Sequence, residues 1–180
     1  MRIFALTALG AFSLLFASAC AGPAPEYRTT ATVREVMKSI VDPNADYVWK
    51  SVETRVTAKG IEDKQPRTDD DWAELREHAI ALAEATDLLQ IPGRLVAHPG
   101  ERMDNPKVEE PPEVIKTMID SDRATWIKYN HGLHDSVMTV LKAIDAKNVQ
   151  GVMDAGSAID SACEACHKQY WYPDKSDKKK

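Results

Sequence analysis

Residues 163–167 read Cys-Glu-Ala-Cys-His, and these residue types at this spacing carry the strongest chemical signal in the chain. On a helix Cys163 and Cys166 stand three apart, with His167 four beyond Cys163, so two thiols and one imidazole project from the same face. Two such thiols can bond the two vinyl groups of a haem while a neutral His167 ligates the iron from the proximal side. C-x-x-C-H is accordingly the pattern of covalent haem attachment. Other chemistries fit less well. A thioredoxin-like dithiol needs a helix start beside a βαβ unit, whereas this pair falls near the end of a helix in a chain that reads as all-α. A zinc site wants a fourth strong ligand and a second cysteine pair is missing, while a disulfide across C-x-x-C inside a helix would be strained. One covalently attached haem c is the expected cofactor.

Attachment of haem to cysteines takes place outside the cytoplasm, and the N-terminus reads as an export signal. Met1-Arg2 is a short basic start, Ile3 to Phe16 is apolar, and Ala17-Ser18-Ala19 supplies the small residues of a cleavage site. The apolar run is too short to span a bilayer. Cleavage after Ala19 makes Cys20 the first mature residue, and residues 16–20 resemble the lipobox of bacterial lipoproteins, departing from it at Ala17, where Leu is usual. Cys20 is thus a candidate lipid anchor, the alternative being ordinary cleavage that leaves an unpaired thiol. The expected division is a signal peptide over 1–19, a tether over 20–31, a haem-binding bundle over 32–173 and a basic tail over 174–180. The expected location is the periplasm, with a membrane tether through lipid on Cys20.

Composition bounds the rest. The chain has 180 residues, 43% hydrophobic and 28% charged, which suits one globular domain. Aromatics are only 7% and β-branched runs are sparse, so helices are favoured over a sandwich or barrel. The net charge of −5 becomes −6 when the signal and its Arg2 are removed, the wrong sign for a nucleic-acid partner. No catalytic triad, paired carboxylate site or phosphate loop is apparent, so an enzyme is not expected.

Four elements must position the motif. Val33, Val36, Met37, Ile40 and Val41 fall at helical spacing, and after Asp42-Pro43-Asn44 the stripe resumes at Tyr47, Val48, Val52 and Val56 until Gly60. One long helix, kinked or broken at Pro43, is predicted. Thr68 ahead of Asp69, Asp70 and Asp71 is an N-cap for a second helix, whose inward face is Trp72, Leu75, Ala79, Leu82, Thr86 and Leu89. Pro92-Gly93 ends it, and residues 93–110 form a crossing loop long enough to cover something. Pro111-Pro112-Glu113 opens a third helix of some eight turns, with Ile115, Met118, Trp126, Tyr129, Leu133, Val137, Val140 and Ile144 on one face and irregularities at Asp122 and Gly132. A fourth runs from about Asn148 to Trp171 and carries the motif, with Pro173 as its stop. The predicted fold is all-α, an antiparallel four-helix bundle.

A chain with an export signal, four amphipathic helices and C-x-x-C-H near the end of the last resembles the cytochrome c′ family and its low-spin, six-coordinate relatives. Small mitochondrial-type cytochromes carry the motif near their start. The resemblance spans about Thr32 to Tyr172. It implies that a first-helix residue faces the distal side of the haem, apolar in five-coordinate members and Met in six-coordinate ones. Met37 is the matching candidate ligand of the iron, and core filling is its other reading. In the family an Arg often stands four positions earlier; Arg34 stands three before Met37, so a role near the haem propionates does not carry over. The resemblance also implies a homodimer, for which Ile127, His131, His134 and Met138 are the expected part of the face.

His78 and His98 read as edge or surface residues; ligation by His98 or His134 in place of Met37 would make the haem bis-histidine with a lower potential. Trp49, Trp72, Trp126 and Trp171 read as core or pocket packing. Arg94 and Arg102 are expected to be solvated, with propionate pairing as the alternative. Three functions follow: one-electron transfer by a mono-haem c-type cytochrome serving redox partner proteins; a five-coordinate haem module binding nitric oxide or another small gas; and a haem-free structural or zinc-binding lipoprotein.

Overall fold

The computed structural model describes residues 27–173; the signal segment, Cys20 and the basic tail lie outside the described residues. Thr32 starts the first helix with a capping box, its Oγ1 accepting from the Glu35 N–H at 3.2 Å while its own N–H donates to the Glu35 carboxylate at 2.8 Å. Two of the free N–H groups at this end, on Val33 and Arg34, donate to the carbonyls of Leu95 and Val96 in the crossing loop. Helix α1 (Val33–Val36) passes into a π turn (Met37–Val41) and on into α2 (Asp42–Ser51) without a break. The break allowed for at Pro43 is therefore corrected: the disturbance there takes the form of a π turn. A proline ring inside a regular helix collides with the carbonyl four residues earlier, and the wider π turn just ahead of Pro43 relieves that collision. Its register is visible in the Asp42 N–H, which donates to the Met37 carbonyl five residues back.

The helix stops at Ser51, not at Gly60. Strands β1 (Glu53–Thr57) and β2 (Gly60–Lys64) pair antiparallel, Val56 opposite Ile61. Val56 continues the helical spacing only by coincidence, since its side chain is 86% exposed. β-branched Thr54, Val56 and Thr57 favour extended backbone, and Gly60 takes the positive φ of 123° that closes the turn.

Helix α3 (Asp69–Leu89) begins where Thr68 and Asp71 cap each other, and its predicted inward face is buried from Trp72 to Leu89. The third predicted helix is divided into α4 (Pro112–Ser121) and α5 (Arg123–Asp145). Asp122 leaves the helical region and its carboxylate accepts from the Thr125 N–H at 3.0 Å, restarting the helix as a cap. Helix α6 (Val149–Tyr170) is capped by Asn148. Helix α2 packs on α3, α3 on α5, α5 on α6, and α6 closes back on α2, giving an antiparallel four-helix bundle with α4 set beside α5 and α6. The direction is fixed by cross-links at opposite ends: Arg76 near the start of α3 pairs with Asp145 at the end of α5, and Trp126 near the start of α5 donates to the Leu89 carbonyl. No described helix is long and apolar enough to cross a membrane.

Candidate functional site

Cys163, Cys166 and His167 occupy the last two turns of α6 and line one cavity of about 250 Å³. Helix α6 packs closely on α5 and only sparingly on α2, and the cavity opens in that looser seam. Met37, Val41, Ala45 and Trp49 form the wall opposite the motif, while Leu89, Tyr129 and Leu133 close the inner end. A second hollow of about 180 Å³ shares Met37, Asp42 and His167 with the first. The sequence-predicted ligands are thus brought together: motif and Met37 face one space from two helices.

Local packing holds the motif in place. Tyr170 is buried behind it, meeting Trp126 and Tyr129 edge-on at 5.1 and 6.0 Å between ring centroids. Tyr172 donates its hydroxyl to the Glu164 carboxylate at 2.6 Å, and the Trp171 carbonyl accepts from the Glu110 N–H. Trp49 donates its indole N–H to the Gly156 carbonyl at 3.0 Å. A Cβ at Gly156 would lie 3.2 Å from the Trp49 ring, so glycine there lets the indole lie against α6.

The electrostatics follow from this burial. Removal from water pushes the Cys163 thiol up to about 11 and the Cys166 thiol up to about 12, so both stay protonated and unpaired at neutral pH. The same removal lowers the pKa of His167 against the pull of the Asp42 and Glu164 carboxylates, leaving a neutral imidazole with a lone pair to donate. Asp42 sits at the rim with its carboxyl turned toward the apolar space, which raises its pKa despite the nearby imidazole. Two neutral thiols, a neutral imidazole, a thioether and apolar walls suit a thioether-linked haem.

The remaining predicted residues lie outside the larger cavity, though Arg34 and Trp171 line the second hollow. His98 is exposed and meets Glu35 at 3.1 Å, and His134 faces Asp135 at 3.6 Å. Neither lines the cavity, so the bis-histidine alternative has no second imidazole there. His131 and Met138 are exposed on the outer face of α5, with Ile127 and His134 half-buried beside them. Arg34 is buried, donating to Glu101 at 2.7 Å, Asp104 at 2.9 Å and the Arg102 carbonyl at 2.9 Å. Arg94 is also buried rather than solvated: its guanidinium donates to the carbonyls of Leu88 and Ala31. Both arginines fasten the crossing loop to the bundle. Among the described residues no three His, Cys, Asp or Glu gather to hold a metal ion by themselves. Asp42 and Asn130 line the cavity without having been singled out, Asp42 because only the π register turns it toward Met37's side, and Asn130 because a lone amide in an apolar stripe carries no signal of its own.

No protein-family model matches the chain, and a search of curated proteins finds no match. Among solved structures it is similar to a cytochrome c′, at 19% identity over 79% of this chain and 99% of that one, with a TM-score of 0.48. It is also similar to a nitric oxide complex of a variant of cytochrome c prime from Alcaligenes xylosoxidans, at 19% identity over 80% and 99% of the two chains and a TM-score of 0.49. A ferrous variant of the same protein with bound NO gives 18% identity over 80% and 98%, with a TM-score of 0.49.

Proposed function

We propose that this chain is an exported mono-haem c-type cytochrome that carries single electrons between redox partner proteins, with Cys163 and Cys166 holding one haem c covalently. The observation that carries this reading is the convergence of both thiols, His167 and Met37 on one apolar cavity. Haem bound there supplies an iron that alternates between the ferrous and ferric states. His167 would hold the iron, its imidazole lone pair kept free of a proton by burial. Met37, which lines the same cavity from the first helix, would give the iron a thioether ligand, and a thioether beside an imidazole in the ligand set would favour a raised potential. The apolar walls from Val41, Ala45, Leu89 and Leu133 exclude water and keep the site's dielectric low.

The chain is a carrier rather than a catalyst in this reading, released to the periplasm and tethered there through lipid on Cys20. The optical spectrum of the ferric holoprotein tests the distal side. A low-spin spectrum with a sulfur-to-iron band that disappears in Met37→Ala is the expected result. A high-spin spectrum in the wild type contradicts Met37 ligation and transfers the assignment to a five-coordinate site for a small gas such as nitric oxide.

A further inference from the structure

We propose that His78 on α3 is a positioning residue for the distal side of the haem, acting through Asn44 on the π turn that holds Met37. The proposal rests on the reading of Met37 as distal ligand. Asn44, in the first turn of α2, donates its Nδ2 to the Ile40 carbonyl within the π turn at 2.6 Å. With Nδ2 so engaged, Oδ1 faces α3 and meets His78 Nδ1 at 2.6 Å. An amide oxygen can only accept, so His78 Nδ1 carries the proton and donates. The imidazole is held in that pose by Tyr47, whose ring stacks on it at 3.8 Å and 15°.

The consequence is a chain of two short hydrogen bonds from α3 into the one irregular turn of the distal helix. The π register puts Met37, Val41 and Asp42 on the cavity together. Return to a regular helix would shift the register by one residue, about 100° of rotation, and Met37 would fall out of line with Asp42, Ala45 and Trp49, which share its cavity. π turns are uncommon and persist where surrounding structure supports them. Here the support comes from a neighbouring helix whose imidazole lies outside the cavity.

The test compares holoproteins. His78→Phe keeps a ring against Tyr47 and removes the donor; His78→Asn places an amide Nδ2 where Nδ1 stood. With haem staining of a denaturing gel showing wild-type covalent haem in each variant, His78→Phe is expected to move the ferric low-spin to high-spin equilibrium about fivefold toward high spin, equivalent to about 1 kcal/mol for one hydrogen bond. Its sulfur-to-iron band weakens and its potential falls, and His78→Asn restores both. Where His78→Phe does not accumulate as folded holoprotein, Asn44→Leu, which removes both hydrogen bonds, is read the same way. A fully loaded His78→Phe with the wild-type spectrum and potential overturns the role of His78 while leaving Met37 as ligand. A high-spin wild type overturns the Met37 reading first, and the inference with it.

Discussion

Each cavity residue affects a different property when replaced, because each does a separate task. Met37→Ala is expected to abolish the sulfur-to-iron band while leaving the haem attached, since the thioether ligates and the cysteines hold; absorption and haem staining of the same sample check both halves. Replacement of Arg34 by Met is expected to lower stability by about 2 kcal/mol, a figure in line with loss of charge-assisted hydrogen bonds at a buried group, and thermal melting followed by circular dichroism measures it. The spectrum of that variant is expected to stay low-spin, because the guanidinium is bound to Glu101, Asp104 and the Arg102 carbonyl of the crossing loop. At this scale the sequence was highly informative where chemistry depends on spacing alone, as in residues 163–167. It was silent where chemistry depends on contacts made across the fold. Nothing near Arg34 or Arg94 in sequence announces that the acceptors lie on Glu101 or on the Ala31 carbonyl.

The helices were legible through their caps and apolar spacing, and their irregularities were not. Thr68 followed by three acids foretold the start of α3, and Thr68→Ala is expected to cost about 1 kcal/mol by freeing the Asp71 N–H that Thr68 Oγ1 accepts; urea unfolding of wild type and variant gives the difference. Pro43 signals a disturbance but leaves its form open, since a kink, a break and a π turn all relieve the same collision. The hairpin was hidden by a helical coincidence: Val52 and Val56 sit four apart, yet Val52 is buried under the end of α2 and Val56 stands in solvent. Asp122 likewise reads as a blemish in a long helix until its carboxylate is seen capping the next one.

At the scale of the whole molecule, several surface carboxylates are favoured in their ionised form by folding, while Asp42 at the cavity is not. A backbone hydrogen bond from Thr32 holds Glu35 below the usual carboxylate range, the Arg67 N–H does so for Asp71, Lys38 for Asp104 and the Tyr172 hydroxyl for Glu164. A depressed folded-state pKa means stability that is present above the unfolded value, about 4, and is lost as pH falls through the folded value. The melting temperature is therefore expected to fall modestly below about pH 4, since these groups are exposed and screened by solvent, and a melting temperature indifferent to acid would contradict these assignments. The four-helix architecture was readable because four apolar stripes must each find a partner; the cavity was not, because it exists only where α6 leaves room against α2. The central claim is that Cys163 and Cys166 hold one haem, and the mass of the denatured, purified chain tests it most directly. After expression with a haem-attachment system, the wild type is predicted to retain the added mass of one haem, and the Cys163→Ala, Cys166→Ala double variant to retain none. A wild-type chain of unmodified mass with two alkylatable thiols at these positions would contradict the account.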